Sequence, residues 1–445
     1  MIFLDFYKNK RVGVIGLGKT GESVVNALIA SGAEVRVYDD YIISHKKCNA
    51  FNIDDVAQMN AMVVSPGVGL LWPSVHPMIQ TAHKNAIPIL NDVDLFQQHI
   101  SGKNICITGT NGKSTTTALV YHVFSSAGEK TAIGGNFGNS LLSLAPQSEF
   151  FVLELSSYQL ESCHILGFDT AILLNITPDH LKRHGGMEGY IYNKQKIFAN
   201  FHEKSTAVIG VDDRHCLKIF QFLKNVNHPC VIPISGNHVP KYGVGWNKNK
   251  LIDNSFGFRE VICEKNPILD GIHNRQNIAA AYVACRRNGL SKELFSKGLF
   301  SFRGLEHRQE LVANIDNVLY INDSKATNAD SVEQALKRFD NIVWILGGRP
   351  KEEGIENLVK YFSRIKFALL IGEAAENWSK LLAKHGVENE ITKTLDVAVK
   401  RAKEISKTLQ ADVVLLSPAC ASFDQFKDFE ERGSIFKQLV SAEKC

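Results

Sequence analysis

Three times along the chain, short apolar runs of strand length alternate with stretches that read as helices, and this alternation admits few folds. The first set is "RVGVIG", the turn "LGKTG", the helical "ESVVNALIASG" and the strand "AEVRVYDD", followed by "AMVVS" and "IPIL". A second set opens at "KNICITG", passes another glycine loop into "KSTTTALVYHVFSSAG", and continues with "FFVLELS" and "TAILLNIT". These last two are apolar almost throughout, as strands covered on both faces must be. After "FRGLEHR" a third set strings "VLYINDS", "NIVWILGG", "FALLIGE" and "DVVLLSPA" between helical stretches. The expectation is an α/β chain of three parallel-sheet domains, 1–97, 98–303 and 304–445.

Length agrees: 445 residues exceed what one core holds, since single cores stop growing at roughly 250–300 residues. An apolar content of 44%, a charged content of 22% and 12 prolines describe a globular chain. A net charge of +4 with no block of Lys or Arg argues against nucleic acid as a partner. Nine scattered cysteines without a C-x-x-C pair predict free thiols in a reducing cytoplasm and no structural zinc. The N-terminus lacks a leader pattern, and no apolar run approaches the length of a membrane span, so no membrane insertion is expected. The string "NIT" at 175–177 matches a glycosylation acceptor and reads as chance in a cytoplasmic chain.

Two glycine loops compete for a nucleotide. Residues 13–20, "GVIGLGKT", satisfy the phosphate-loop pattern G-x-x-x-x-G-K-[ST], but Val12, Val14 and Ile15 read as the strand itself. Parsed as G-x-G-x-x-G, Gly16, Gly18 and Gly21 end the strand and open the helix, and Asp39 or Asp40 closes the next strand with a carboxylate for ribose or base. That is a diphosphate site, with a ligand-free tight turn as the bland alternative. Residues 107–117, "ITGTNGKSTTT", have two residues between their glycines instead of four. Yet the loop follows a plausible strand, Lys113 supplies a point charge, and Ser114 or Thr115 can reach a Mg2+ ion. Glu154 ends a later strand where a carboxylate could meet the same metal; a solvent-exposed strand end is the alternative.

The motifs "GTNGKST", "ELSSYQLE", "LNITPDHLKRH", "GIHNRQNIAAA", "GLEHRQE", "NDSKATN" and "LSPACASFDQFKDFEERG" occur in the order and spacing of the Mur ligases, and the chain resembles that family over nearly its whole length. The likeness is weakest at 45–60 and 215–265. It implies an α/β fold of three Rossmann-like domains with mainly parallel sheets, the central one a P-loop-type ATPase domain. It also implies ATP-dependent joining of an amino acid to a UDP-linked peptidoglycan precursor in the cytoplasm. The last two motifs resemble the branch that adds D-glutamate to UDP-N-acetylmuramoyl-L-alanine.

By the same resemblance ATP is held by Gly109, Thr110, Asn111, Gly112, Lys113, Ser114, Thr115, Asn274 and Asn277, with Arg308 and Asp323 from the third domain. Two Mg2+ ions are implied, with Ser114 and Glu154 on the first and His180 on the second. Lys194 matches a lysine carbamylated by CO2 into a metal ligand; on its own it is a helix lysine beside Lys196, the mark of a solvated face. The UDP-linked substrate is implied at Gly18, Lys19, Thr20, Gly21, Asp39, Asp40, Ser65, Pro66, Gly67, Asn136 and His180. D-Glutamate is implied at Lys325, Thr327, Lys351, Ser422, Phe423 and Phe429. Two departures stand out: Arg349-Pro350 precede Lys351 where relatives often have an acidic or glycine-containing turn, and Phe423 stands where leucine is usual. A monomer is expected, closing its third domain over the second to exclude water. The rivals are a sister ligase or folylpolyglutamate synthase, an NAD-dependent oxidoreductase built on the first loop, and a non-catalytic nucleotide switch.

Overall fold

The structure, a computed structural model, describes all residues except 43, 71–73, 166, 227, 229, 256–259, 263–265, 267, 268, 270, 271, 351–353, 444 and 445. The chain divides into two compact units, Met1–Arg303 and Gly304–Cys445. The first unit carries two sheets and the second carries one, giving a three-domain α/β architecture with mostly parallel strands.

The first sheet comprises β1 (Arg11–Ile15), β2 (Glu34–Tyr38), β3 (Asn49–Ala50), β4 (Ala61–Val64) and β5 (Ile89–Leu90). Its order is β3-β2-β1-β4-β5, parallel throughout. The chain winds to one side of β1 and then returns to the other, so a crevice opens beyond the carboxyl ends of β1 and β4. The loop after β1 holds Gly16 and Gly18, and the loop after β4 holds Ser65, Pro66 and Gly67.

The second sheet comprises β6 (Lys103–Thr108), β7 (Thr131–Gly135), β8 (Phe150–Glu154), β9 (Thr170–Leu173), β10 (Thr206–Gly210), β11 (Val231–Ile234), β12 (Val244–Asn247), β13 (Lys250–Asp253) and β14 (Glu260–Ile262). Its order is β14-β13-β12-β11-β10-β9-β6-β8-β7, with antiparallel pairing only at β12-β13-β14. Strand β6 lies at the switch point: Ile107 is in register with Glu154 of β8 and Thr108 with Leu173 of β9. That register brings the loop after β6, the carboxylate ending β8 and the segment after β9 to one place.

The second unit holds β15 (Glu310–Ile315), β16 (Val318–Asn322), β17 (Ile342–Gly347), β18 (Ile365–Ile371), β19 (Asn389–Lys393) and β20 (Val413–Leu416) in the order β15-β16-β20-β17-β18-β19. Only β15 and β16 pair antiparallel. Strand β17 is buried along its whole length, and its alternate side chains feed two cores: Trp344 and Leu346 one, Val343 and Ile345 the other. Each large apolar side chain so enclosed stabilises the fold by roughly 1.5–3 kcal/mol. The Trp344 indole also donates to the Ser417 carbonyl at 2.8 Å, leaving no polar atom of that ring unpaired.

Candidate active site

The first glycine loop is fastened from both sides. Gly18 is the N-cap of the helix Lys19–Ala30, and a Cβ at Gly21 would run into the Gly16 carbonyl oxygen, so only glycine lets the helix pack on the loop. The Ser65 hydroxyl donates to that same carbonyl at 2.7 Å. The Leu17 N–H donates to Asp39 Oδ2 at 2.7 Å, while Asp39 Oδ1 accepts from Tyr41 N–H at 2.9 Å and Ile42 N–H at 3.1 Å. Burial pushes the Asp39 pKa up, but these backbone donors more than offset it and hold the carboxyl below its ordinary value. Asp39 thus clamps the loop. Among the described residues Asp40 meets side chains, the Tyr38 hydroxyl at 3.1 Å and the His76 imidazole at 3.8 Å.

The second loop is drawn tight. Gly112 (φ +84°) is the left-handed N-cap of the helix Lys113–Ser126, and a Cβ there would strike Asn277 Oδ1. Asn277 in turn donates to Asn274 Oδ1 at 3.2 Å, both residues being buried on the helix Ile272–Arg287. Lys113 Nζ donates to the carbonyl oxygens of Gly109 (2.9 Å) and Thr110 (2.8 Å). Ser114 is buried and Thr115 half-buried on the first helical turn, while Asn111 is exposed at the loop's tip.

Glu154 is 2% exposed, which removes the alternative of a solvated strand end. Its Oε1 accepts from Asn136 Nδ2 at 2.7 Å, and its buried Oε2 finds no hydrogen-bond partner among the described residues. An orphaned buried carboxylate oxygen beside a phosphate loop is the donor a divalent cation uses. No group of three His, Cys, Asp or Glu that could hold a metal occurs among the described residues.

Lys194 does not lie on the solvated face that its position beside Lys196 suggests when taken alone. It lies on the helix Met187–Gln195 and is 1% exposed. Its Nζ donates to the Gly109 carbonyl at 2.8 Å and lies 4.9 Å from the centre of the Tyr190 ring. Burial first, and the charge of Lys113 second, drive its pKa well below that of an ordinary lysine. His180 adopts φ +51°, leaves about half of its ring exposed, and lies 3.5 Å from the Asp179 carboxylate and 5.1 Å from the Tyr158 ring.

Several neighbours lie within the quoted motifs but are assigned no role there. His184 is buried: Asn193 Nδ2 donates to its Nδ1 at 3.0 Å, which assigns the proton to Nε2, facing the Ser157 hydroxyl at 3.0 Å. Burial, with the Arg183 charge next, lowers its pKa to about 4. Arg183 donates to Glu161 at 2.8 Å and to the Val68 carbonyl at 3.1 Å, tying the loop after β4 to the second domain.

One cleft of about 640 Å³ runs from the first glycine loop to the second. Its wall includes Gly18, Lys19, Thr20, Asp39, Asp40, Ser65, Pro66 and Gly67 on one side, and Lys113, Asn136, His180 and Lys194 on the other. Lys19 Nζ bridges toward the second domain through the Gly138 carbonyl at 3.0 Å. Tyr158 and Tyr190, which the motifs do not single out, line the same space.

In the second unit the candidate residues cluster at the carboxyl ends of β16 and β20. Asp323 is buried, accepts from the Ser417 hydroxyl (2.7 Å) and the Gln309 N–H (3.2 Å), and is raised by burial to about 7. Arg308 precedes Gln309 in this turn. Lys325 Nζ lies 4.4 Å from the centre of the Phe429 ring, and the Thr327 N–H donates to the Lys325 carbonyl. Ser422 is buried, whereas Phe423 is 61% exposed. Lys351 lies outside the described residues. The buried Arg432 donates to the carbonyls of Ser324 (2.8 Å) and Cys420 (3.1 Å), stapling the "NDSKATN" turn to the "SPACASF" turn.

Three family models match the chain in order: "Mur ligase MurD-like, N-terminal domain" over residues 10–91, "Mur ligase middle domain" over 107–285, and "Mur ligase, glutamate ligase domain" over 307–420. The UDP-N-acetylmuramoylalanine–D-glutamate ligase of Rhodospirillum rubrum is 42% identical, the alignment covering 99% of this chain and 96% of the relative. The same-named protein of Paramagnetospirillum magneticum is 43% identical over 99% of this chain and 98% of its own length. Among solved structures, MurF from Acinetobacter baumannii superposes with a TM-score of 0.60 at 17% identity, covering 96% of this chain and 93% of that one. UDP-N-acetylmuramate-alanine ligase from Thermotoga maritima gives 0.57 at 17% identity, over 98% and 100%. On the site, the fold and this likeness along its whole length, the chain belongs to the Mur ligase family.

Proposed function

We propose that the chain joins D-glutamate to UDP-N-acetylmuramoyl-L-alanine in the cytoplasm, converting ATP to ADP and phosphate through an acyl phosphate, and that it works as a monomer. The observation that carries this reading is the single cleft linking the diphosphate-type loop of the first domain to Lys113 of the phosphate loop. Relatives 42–43% identical over 99% of the chain bear the name of that ligase.

A carboxylate is a poor electrophile, so its oxygen first attacks the γ-phosphorus and the bond to the ADP oxygen breaks. The first-turn N–H groups after Gly112 and the Lys113 ammonium hold the phosphate oxygens. The Ser114 hydroxyl and the orphaned Glu154 Oε2 would hold Mg2+, with Lys194 as a further ligand once carbamylated and His180 at a second ion. Bound there, Mg2+ supplies neutralisation of the phosphate charge. Gly18, Lys19, Thr20 and Gly21 take the pyrophosphate of the UDP moiety, Asp40 its nucleoside side, and Asn136 and His180 the muramoyl-alanine end. Asn274 and Asn277, with Arg308 and Asp323, take the rest of the ATP. Lys325, Thr327, Ser422 and Phe429 take D-glutamate, whose amine attacks the acyl carbon, loses a proton and expels phosphate.

Phosphate release with ATP, Mg2+, UDP-N-acetylmuramoyl-L-alanine and single amino acids tests this reading. D-Glutamate should support turnover that L-lysine and diaminopimelate do not; equal rates would remove the acceptor assignment. Tight NAD binding in a parallel titration would revive the oxidoreductase.

A further inference from the structure

The string "NIT" at 175–177, a chance glycosylation match in the sequence, forms the outer wall of the phosphate loop. A loop with two residues between its glycines has few backbone groups of its own with which to keep a shape. Here it borrows them. The Thr110 N–H donates to the Asn175 carbonyl at 2.9 Å, and the Thr177 N–H donates to Thr110 Oγ1 at 3.0 Å. The Asn111 N–H donates to Asn175 Oδ1 at 2.8 Å, and Asn175 Nδ2 donates back to the Asn111 carbonyl at 3.1 Å. The side-chain amide of Asn175 therefore pairs with both the N–H and the C=O of Asn111.

The brace continues away from the loop. Asn175 Nδ2 also reaches Gln276 Oε1 at 3.3 Å, and Gln276 Nε2 donates to Asp212 Oδ2 at 3.0 Å. Asp212 is itself held by the Gly236 N–H at 2.7 Å and the Ser235 hydroxyl at 2.5 Å. Gln276 is buried on the helix Ile272–Arg287 between Asn274 and Asn277, and Asn277 packs on Gly112 at the other end of the loop. Room for the Gln276 amide exists because residue 210 is glycine; a Cβ there would lie 2.6 Å from Gln276 Nε2.

We propose that Asn175 and Gln276 are positioning residues for ATP: Asn175 fixes the shape of the shortened phosphate loop, and Gln276 ties that loop to the helix bearing Asn274 and Asn277, so that the two halves of the nucleotide site form one body. This rests on the ATP-ligase reading above. Without the brace, the Asn111 peptide turns to water and the loop samples shapes that cannot cradle phosphates, so nucleotide binding must select the competent one. Two residues acting through one brace are coupled, and their losses do not multiply.

Titration of the full-length protein with MgADP, alongside kinetics in ATP and in the UDP-linked substrate, tests the proposal. Asn175→Ala should bind MgADP on the order of tenfold more weakly and raise KM for ATP in proportion, with KM for the UDP-linked substrate within about twofold of wild type. Gln276→Leu should weaken MgADP several-fold, and the double variant should lose clearly less than the product of the two. A fall in Tm with MgADP affinity and KM for ATP unchanged would mark Asn175 as merely structural and overturn the proposal. Losses that multiply would overturn the coupling. If Asn175→Ala fails to fold, Gln276→Leu carries the test by the same readouts. A wild-type protein that binds no MgADP sinks the ATP reading and this proposal with it, whereas equal binding by wild type and Asn175→Ala sinks the proposal alone.

Discussion

Lys113 and Lys194 aim their amines at the same atom, the carbonyl oxygen of Gly109, at 2.9 and 2.8 Å. Two ammonium groups cannot share one oxygen in a buried place without cost, and Lys194, the more enclosed of the two, is the one driven toward its neutral form. A neutral amine attacks CO2 and releases a proton, giving a carbamate anion beside Lys113 in place of a second cation. The expected outcome is an intact-mass increase of one CO2 in bicarbonate, lost in acid, with turnover falling in CO2-depleted buffer. The sign with pH follows from the depressed pKa. Carbamate forms above it, where the amine is neutral, and disappears below it. Lys194→Met should show neither the mass increase nor the CO2 dependence.

Lys113 is held by two loop carbonyls, a stretch of the chain that phosphate oxygens would replace as partners. Lys113→Ala should reduce turnover on the order of 10³-fold, the scale of losing one preorganised electrostatic donor. A loss below tenfold in steady-state assays would remove it from the phosphoryl step. The same change deletes the like charge nearest Lys194, so its pKa should rise and the carbamate yield at fixed pH should drop.

Glu154 owes its orientation to Asn136, 2.7 Å away. Freed from that amide, Oε1 is unpaired and the carboxylate can rotate. Asn136→Ala should raise the Mg2+ concentration for half-maximal turnover about tenfold or more, as loss of a supporting partner behind a metal ligand does. Glu154→Gln should do so more strongly. A Mg2+ titration unchanged in both variants would dissociate this carboxylate from the metal.

His184 makes acid stability a local property. Its folded pKa of about 4 lies below the ordinary 6.5, so the unfolded chain takes the proton first, and stability is lost as pH falls from 6.5 through 4. Asp92, raised by burial to about 6, works in the opposite direction over an overlapping window, so the comparison must be between variants. The Tm advantage of wild type over His184→Gln should be largest near neutral pH and shrink steadily toward pH 4. A constant difference would mean that His184 does not titrate in that range.

The strands carrying continuous apolar runs were legible in the sequence because burial on both faces leaves a compositional trace; β6, β8, β9, β17 and β20 are of this kind. Strands β7 and β11 were not: "TAIGG" ends in two glycines and "VIPI" carries Pro233, residues that weaken any strand reading. The candidate site was legible where glycine and lysine stand at fixed offsets, as in 109–115. It was illegible where a residue acts through burial. Lys194, taken alone, reads as a surface lysine because its enclosure comes from the Tyr190 ring one helical turn back and from Gly109, 85 residues away in the chain, and no local pattern announces that meeting. Asp39 and Asp40 are adjacent in sequence, alike in type and both on the cleft wall, yet only geometry shows that Asp39 spends its oxygens on backbone N–H groups of the loop while Asp40 meets the Tyr38 and His76 side chains.

On the proposed function, the cleft joining the two glycine loops would act as a ruler. Its ends belong to different domains, but Arg183 to the Val68 carbonyl and Lys19 to the Gly138 carbonyl hold them at a set span. A ligand anchored by its diphosphate at the first loop presents its far carboxylate at Lys113 only if its length matches that span. Truncated acyl donors lacking the nucleotide would therefore lose more than affinity: their reacting oxygen would have no fixed point from which to be measured.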